Sequence, residues 1–189
     1  MIILASQSPR RAALLDQVGI AYECLAADVD ESVHADERAA DYVERVAIAK
    51  ADTVRAQHPN RIVLAADTAV VLDQRILGKP RDRDEAVEML SLLSGRTHEV
   101  LTGVAIAADV SAFRLSVSRV GFRTLSADEI DAYWRSGEPA DKAGAYAVQG
   151  IAAAFIERIE GSYSGIMGLP LFETLALLRE AGVQTRSGI

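Results

Sequence analysis

Short apolar runs alternate with stretches of helical period along the first half of the chain, and two long β-rich runs follow. Ile2 to Ala5 carries no polar position, which predicts a buried strand. Ser8 then suits an N-cap and Pro9 the first helical position. Leu14, Leu15 and Val18 give that helix its apolar face, and Gly19 stops it. Tyr22 to Ala26 alternates weakly and reads as a strand with Cys24 as a small core residue. A long helix is expected from about Ala35 to Gln57, with Val43, Val46, Ala47, Ala51 and Val54 as its stripe. Arg61 to Ala66 is a strand ending at Asp67-Thr68, and strand resumes from Ala69 to Leu72 before a turn near Asp73-Gln74.

Asp82 is placed to cap a helix over Arg83 to Ser94, with Ala86, Met89, Leu90 and Leu93 inward and Gly95 at its end. Thr97–Ala107 and Phe113–Leu125 predict a long antiparallel hairpin turning around Asp109 to Ser111. Ser126 and Glu129 form a capping box opening a helix to about Arg135, where Tyr133 and Trp134 serve packing. Ser136 to Gly150 reads as a loop, Ile151 to Ile159 as an apolar strand, and Gly161 to Gly168 as a second Gly/Ser loop. A last helix has Pro170 at its first position and turns Leu171, Leu175, Leu178 and Ala181 inward.

Half of the 189 residues are apolar, enough for a sizeable core, and the formal net charge of −7 disfavours nucleic acid or an anionic membrane as partner. One cysteine leaves no internal disulfide framework and fits a reducing, cytoplasmic compartment. No basic leader with an apolar core and no bilayer-length apolar run is present.

Against that acidic background, Arg10 and Arg11 stand in the first turn of a helix, where the macrodipole disfavours cations. An anion in front of them resolves the conflict, with Ser6 and free backbone N–H groups adding donors. The other explanation is that both arginines are solvated or pair with surface acids. Lys50 falls inside the apolar stripe of its helix, so it either snorkels to the edge or reaches an anion in a cleft. Lys79 follows Gly78, which lets the backbone approach closely, and precedes Pro80. Asp67 occupies a strand end, a position that opens into clefts in α/β folds, and Glu31 lies in a polar loop with Asp28 and Asp30. Gln149 carries the donor and acceptor that suit the edge of a base. Five cationic or hydroxyl ligands suggest a polyphosphate, and carboxylates beside them favour metal-assisted attack by water on phosphorus. There is no Walker loop, G-x-G-x-x-G fingerprint, zinc spacing or nucleophilic triad. His98 is therefore expected to be structural.

The segments LASQSPRR, AADTAVVLDQRILGKP, LSGRTHEVLTGV, SGEPADKAGAYAVQG and GSYSGIMGLP, in this order, resemble the Maf family of nucleoside triphosphate pyrophosphatases over nearly the whole chain. The resemblance implies one domain over 1–189. Its α/β fold would be an elongated, two-lobed mixed sheet flanked by helices, related to the inosine triphosphate pyrophosphatases, with the active site in the cleft between lobes. It implies hydrolysis of a nucleoside triphosphate between the α- and β-phosphates. The mechanism expected on that basis has a divalent metal, Mg²⁺ or Mn²⁺, bridging phosphate oxygens and the carboxylates Glu31 or Asp67. Ser6, Arg10 and Arg11 match the first phosphate-binding motif, and Glu31, Lys50 and Lys79 match further charged cleft positions. Asp67 matches the proton acceptor, its role as base or metal ligand being left open, and Lys79 is paired with it as catalytic. Arg10, Thr68 and Gln149 resemble the subgroup that prefers dTTP and UTP, with modified pyrimidine nucleotides as a related substrate class. Gly165 stands where the family usually has Asn, and Ala147 where Gly is common. A homodimer is compatible with the family, although every apolar face here is explicable as core. The rival expectation is a nucleotide-binding regulator of cell division with little turnover.

Overall fold

The computed structural model describes residues 1–184. Its strands are β1 (Ile2–Ala5), β2 (Tyr22–Leu25), β3 (Val63–Leu72), β4 (Arg75–Leu77), β5 (Thr97–Ala107), β6 (Ala112–Phe122) and β7 (Ile156–Glu160). Its α-helices are α1 (Pro9–Gln17), α2 (Ala39–Gln57), α3 (Arg83–Leu93), α4 (Ala127–Arg135), α5 (Tyr163–Met167) and α6 (Leu171–Glu180). The strands form one mixed sheet in the order β2-β1-β3-β5-β6-β7, with β4 on the outer edge of β3.

Two opposite crossovers set the position of the cleft. From β1 the chain passes through α1 to parallel β2 on one side, then through α2 to parallel β3 on the other side of β1. α1 and α2 cover opposite faces: Leu14 and Leu15 pack with Leu64 and Ala66, whereas Ala47, Ala51 and Val54 pack with Val63 and Ala65. Such a reversal opens a crevice at the carboxyl end of the first strand. β3 pairs with β1 only at Val63 and Leu64 and with β4 from Val70 onward. Between them the outer edge of β3 pairs with no described strand, and Asp67 and Thr68 stand in that gap.

The core divides at the same place. On one face, Ala66 belongs to the cluster under α1 and α6, and Val70 to the cluster under α3 and α4. On the other, Ala65 and Ala69 fall into two successive clusters beneath α2. Thr68 and Asp67 mark the seam, one on each face, which gives the molecule its two lobes. α2 seats closely here because β5 carries Gly103 opposite Asp67; a Cβ at Gly103 would lie 2.8 Å from the Val43 carbonyl oxygen.

Several sequence expectations change. Asp67-Thr68 does not end a strand: β5 pairs with β3 from Val63 to Val71 without interruption, so the polar pair lies mid-strand. α2 begins at Ala39, because Asp36 adopts φ 58° in the turn before it and Arg38 is still extended. Cys24 is exposed, since β2 is the edge strand and buries neither face fully. Ser8 occupies the α1 N-cap without a side-chain bond, which leaves that helix end without a side-chain cap. Ile151–Phe155 is a 3-10 segment, its first amides held by the Glu138 carboxylate at 3.0 and 3.4 Å, and the strand starts only at Ile156. The Ser136–Gly150 loop contains two 3-10 turns. The Gly161–Gly168 loop contains α5, capped by the Ser162 hydroxyl, which accepts from the Gly165 N–H at 3.0 Å. Space around Gly78 is open; close approach occurs instead at Gly144, whose N–H donates to the Gly78 carbonyl and whose Cβ would meet Val70 at 2.8 Å. The Asp82 cap, the Ser126/Glu129 capping box and the β5–β6 hairpin form as expected.

Candidate active site

A cleft of about 630 Å³ lies over the gap in the β3 edge. All nine residues singled out from the sequence line it: Ser6, Arg10, Arg11, Glu31, Lys50, Asp67, Thr68, Lys79 and Gln149. Asp28 and Asp30 do not. The β1 carboxyl end and α1 supply Ser6 and the arginines, α2 supplies Lys50, and β3 supplies Asp67 and Thr68. The loop before α2 brings Glu31, the loop after β4 brings Lys79, and Gln149 comes from the segment before β7.

Strand alternation sends Asp67 toward α2 and Thr68 toward the opposite face. Lys50 is 7% exposed and Asp67 5%, and the ammonium meets the Asp67 Oδ1 at 2.8 Å. The same Nζ meets the Glu31 Oε1 at 2.9 Å. Two carboxylates therefore converge on one cationic point, while the Asp67 Oδ2 has no protein hydrogen bond among the described residues. This placement distinguishes the two fates open to Lys50 from sequence: it turns inward to the cleft rather than outward to the helix edge.

On the other face Arg11 is fixed by three acceptors. Its Nε donates to the Gly168 carbonyl at 2.8 Å, Nη1 to the Ser6 hydroxyl at 3.3 Å and Nη2 to the Thr68 hydroxyl at 3.4 Å. Burial lowers the Arg11 pKa, opposed by the nearby Asp67 carboxylate, lowered again by Arg10 and opposed further by Glu31. The Thr102 hydroxyl donates to the Gly165 carbonyl at 2.8 Å, so the Thr68 hydroxyl, 2.9 Å away, must donate to Thr102. Thr68 therefore has no proton left for a ligand and serves Arg11 as an acceptor.

Arg10 reaches across the cleft to Asp141, 3.8 Å away, and Lys142 also pairs with Asp141. Lys79 is exposed and makes no ion pair among the described residues, which leaves its ammonium free for an anion. Gln149 is exposed on the far wall.

One cleft residue carries no chemical signal of its own in the sequence, while Asp141 and Lys142 belong to the Ser136–Gly150 loop, whose Asp, Lys, Tyr and Gln mark it there as a place for binding groups. Tyr42, on α2, donates its hydroxyl to the Glu31 carbonyl at 3.1 Å; burial, then the charges of Asp67 and Glu31, raise its pKa and keep it a donor. Asp141 and Lys142 line the wall beside Gln149. Tyr42 was legible in part, since it extends the stripe of Val43 and Val46 by one position. Among the described residues no three His, Cys, Asp or Glu side chains cluster to hold a metal. No described helix is long and apolar enough to cross a membrane.

The profile of the family described as Maf-like protein matches residues 1–181. A dTTP/UTP pyrophosphatase of Hahella chejuensis is 54% identical over 187 residues, covering 97% of this chain and 93% of that protein. A dTTP/UTP pyrophosphatase of Methylobacillus flagellatus is 55% identical over 185 residues, covering 96% and 93%. Among solved structures, the Ham1 protein of Staphylococcus aureus aligns with TM-score 0.54 at 14% identity, covering 95% of this chain and 98% of that one. At that identity the likeness is one of fold, the open mixed sheet with helices on both faces. With a profile that spans both lobes and relatives more than half identical over nearly all of their length, the chain belongs to the Maf family.

Proposed function

We propose that the protein hydrolyses dTTP and UTP between the α- and β-phosphates, releasing the nucleoside monophosphate and diphosphate. The observation that carries this reading is the convergence of Lys50, Glu31 and Asp67 within one cleft that also holds Arg10, Arg11 and Lys79. The names of the two relatives supply the substrate class.

Arg11, rigidly held, offers a fixed positive field to the triphosphate, and Arg10 and Lys79 can follow its charge from more open positions. Arg10 would exchange its long contact with Asp141 for a phosphate oxygen. Asp67 accepts the proton of the attacking water as its oxygen bonds to phosphorus; the anhydride P–O bond breaks and its electron pair leaves with diphosphate. Lys50 keeps the carboxylate of Asp67 oriented through its bond to Oδ1. Gln149 is the base-facing donor and acceptor, and Thr68 contributes through Arg11 rather than by touching the base.

Lys50 holds one oxygen of each carboxylate, Glu31 Oε1 and Asp67 Oδ1, so the second oxygens, which make no hydrogen bond among the described residues, are the ones that would hold a divalent cation. Mg²⁺ commonly takes one or two carboxylates and completes its shell with water and substrate phosphates, so a pair is enough when nucleotide is present. Bound there, it would neutralise developing charge on the phosphates.

The test is diphosphate release from a panel of nucleoside triphosphates with Mg²⁺, Mn²⁺ or chelator. The expected result is metal-dependent release, fastest with dTTP and UTP. Nucleotide binding without diphosphate release would overturn the hydrolytic reading and favour a nucleotide-binding regulator.

A further inference from the structure

The segment that delivers Glu31 has no core of its own. No residue from Asp28 to Arg38 is buried, and Val33 is 46% exposed. Hydrophobic packing therefore contributes little to holding Glu31 against Lys50. What holds the segment is polar and comes from one turn of α2, where Tyr42 and Arg45 are neighbours at i and i+3.

Arg45 grips the segment at several points. Its Nε meets the Glu37 Oε1 at 2.6 Å and its Nη2 meets the Oε2 at 2.8 Å, a bidentate pair. The same Nη2 donates to the Ser32 carbonyl at 2.8 Å, and Nη1 to the Asp30 carbonyl at 3.5 Å. The Glu37 side chain is only 10% exposed. Arg45 hydrogen bonding pushes the Glu37 pKa down to about 2. The Arg45 guanidinium also lies 5.7 Å from the centre of the Tyr42 ring, whose hydroxyl holds the intervening Glu31 carbonyl. Three successive carbonyls, of residues 30, 31 and 32, are thus tied to α2, the helix that also carries Lys50.

We infer that Arg45 is a positioning residue for the reaction: by clamping the 30–37 segment to α2 it holds the Glu31 carboxylate against Lys50 and Asp67. The inference rests on the function proposed above for the detection of its effect, but not for the clamp itself. Small misplacements of a reacting group cost rate steeply, so a loosened segment should act like partial loss of Glu31.

The experiment is a double-mutant cycle of Arg45→Met and Glu31→Gln, with amide exchange of residues 30–38 measured on each folded protein. Glu31→Gln should lower kcat/KM about a hundredfold and Arg45→Met about tenfold, with the double variant no slower than Glu31→Gln alone. Arg45→Lys should not restore the rate, because an ammonium cannot grip a carboxylate and two carbonyls at once. A further tenfold loss in the double variant, or wild-type activity of Arg45→Met, would overturn the assignment. If Arg45→Met does not fold, Tyr42→Phe removes only the hydroxyl on the Glu31 carbonyl and should lower kcat/KM about threefold, again only when Glu31 is present. If Glu31→Gln itself is fully active, the role proposed for Glu31 fails. Exchange then separates the two failures: faster exchange of 30–38 in Arg45→Met keeps the clamp but overturns its role in the reaction, and unchanged exchange overturns both.

Discussion

Lys50 and His98 are both buried in largely apolar surroundings, and they show two different ways of placing a polar group inside this molecule. Lys50 lies among Val43, Val46 and Val54 on α2, but its ammonium passes the apolar stripe and ends between the Asp67 and Glu31 carboxylates. His98 lies in the other lobe, 2% exposed, edge-on to Phe122 and Tyr146. Its Nε2 meets the Tyr146 hydroxyl at 2.8 Å, and its Nδ1 has no partner among the described residues. Burial lowers the His98 pKa from 6.5 to about 4, so the ring is neutral at pH 7. A buried charge is kept where opposite charge surrounds it; a buried ring with one neutral partner is kept uncharged. The first arrangement is chemistry, the second is packing.

The largest expected effect lies at the charged site. Asp67→Asn preserves shape and can still accept from Lys50, but it removes the proton acceptor. Turnover of dTTP should fall by about 10³-fold while nucleotide affinity changes little. Steady-state kinetics beside equilibrium binding would check both halves. Near-normal turnover would show that Asp67 is, like His98, a structural group.

The neutral site should express itself in stability. His98 accepts a proton near pH 6.5 when unfolded and near pH 4 when folded, so between those values the unfolded chain binds more protons. Stability is therefore full above pH 6.5 and falls as the pH drops toward 4, by about 3 kcal/mol over the window. Glu37 and Glu129, both lowered to about 2, lose their contributions only below the ordinary carboxylate value of 4.5. Urea unfolding between pH 7 and 4.5 should thus report His98 apart from these two carboxylates, and the slope should vanish in His98→Leu.

The sequence made one member of this comparison far clearer than the other. Lys50 was conspicuous because a lysine in an apolar stripe violates the helical pattern, and α2 kept that pattern in the folded protein. Asp67 and Thr68 look like a strand end in the sequence because polar residues interrupt an apolar run. Only pairing with Gly103 and Thr102, some 35 residues away in the chain, shows that the strand continues through them. The same pairing exposes the hydroxyl chain from Thr102 to Arg11, which no local pattern announces. Cys24 departs from its expected core position for a related reason: strand composition does not reveal that β2 is an edge. Arg45 and Tyr42 carried no signal as a pair, since the function of their spacing depends on where an irregular segment lies against them.

The smallest effect separates the two kinds of buried group most directly. Tyr146 borders the cleft and also partners His98, so it could belong to either class. Its hydroxyl is occupied by the imidazole, and burial raises its pKa. Tyr146→Phe keeps the ring contacts with His98 and Phe122 and deletes one buried hydrogen bond, which should cost about 1 kcal/mol of stability. If Tyr146 is packing, kcat and KM for dTTP stay at wild-type values while the urea midpoint falls. If the rate drops without loss of stability, the hydroxyl faces the substrate in the working enzyme, and the boundary between packing and chemistry runs through the aromatic cluster rather than beside it.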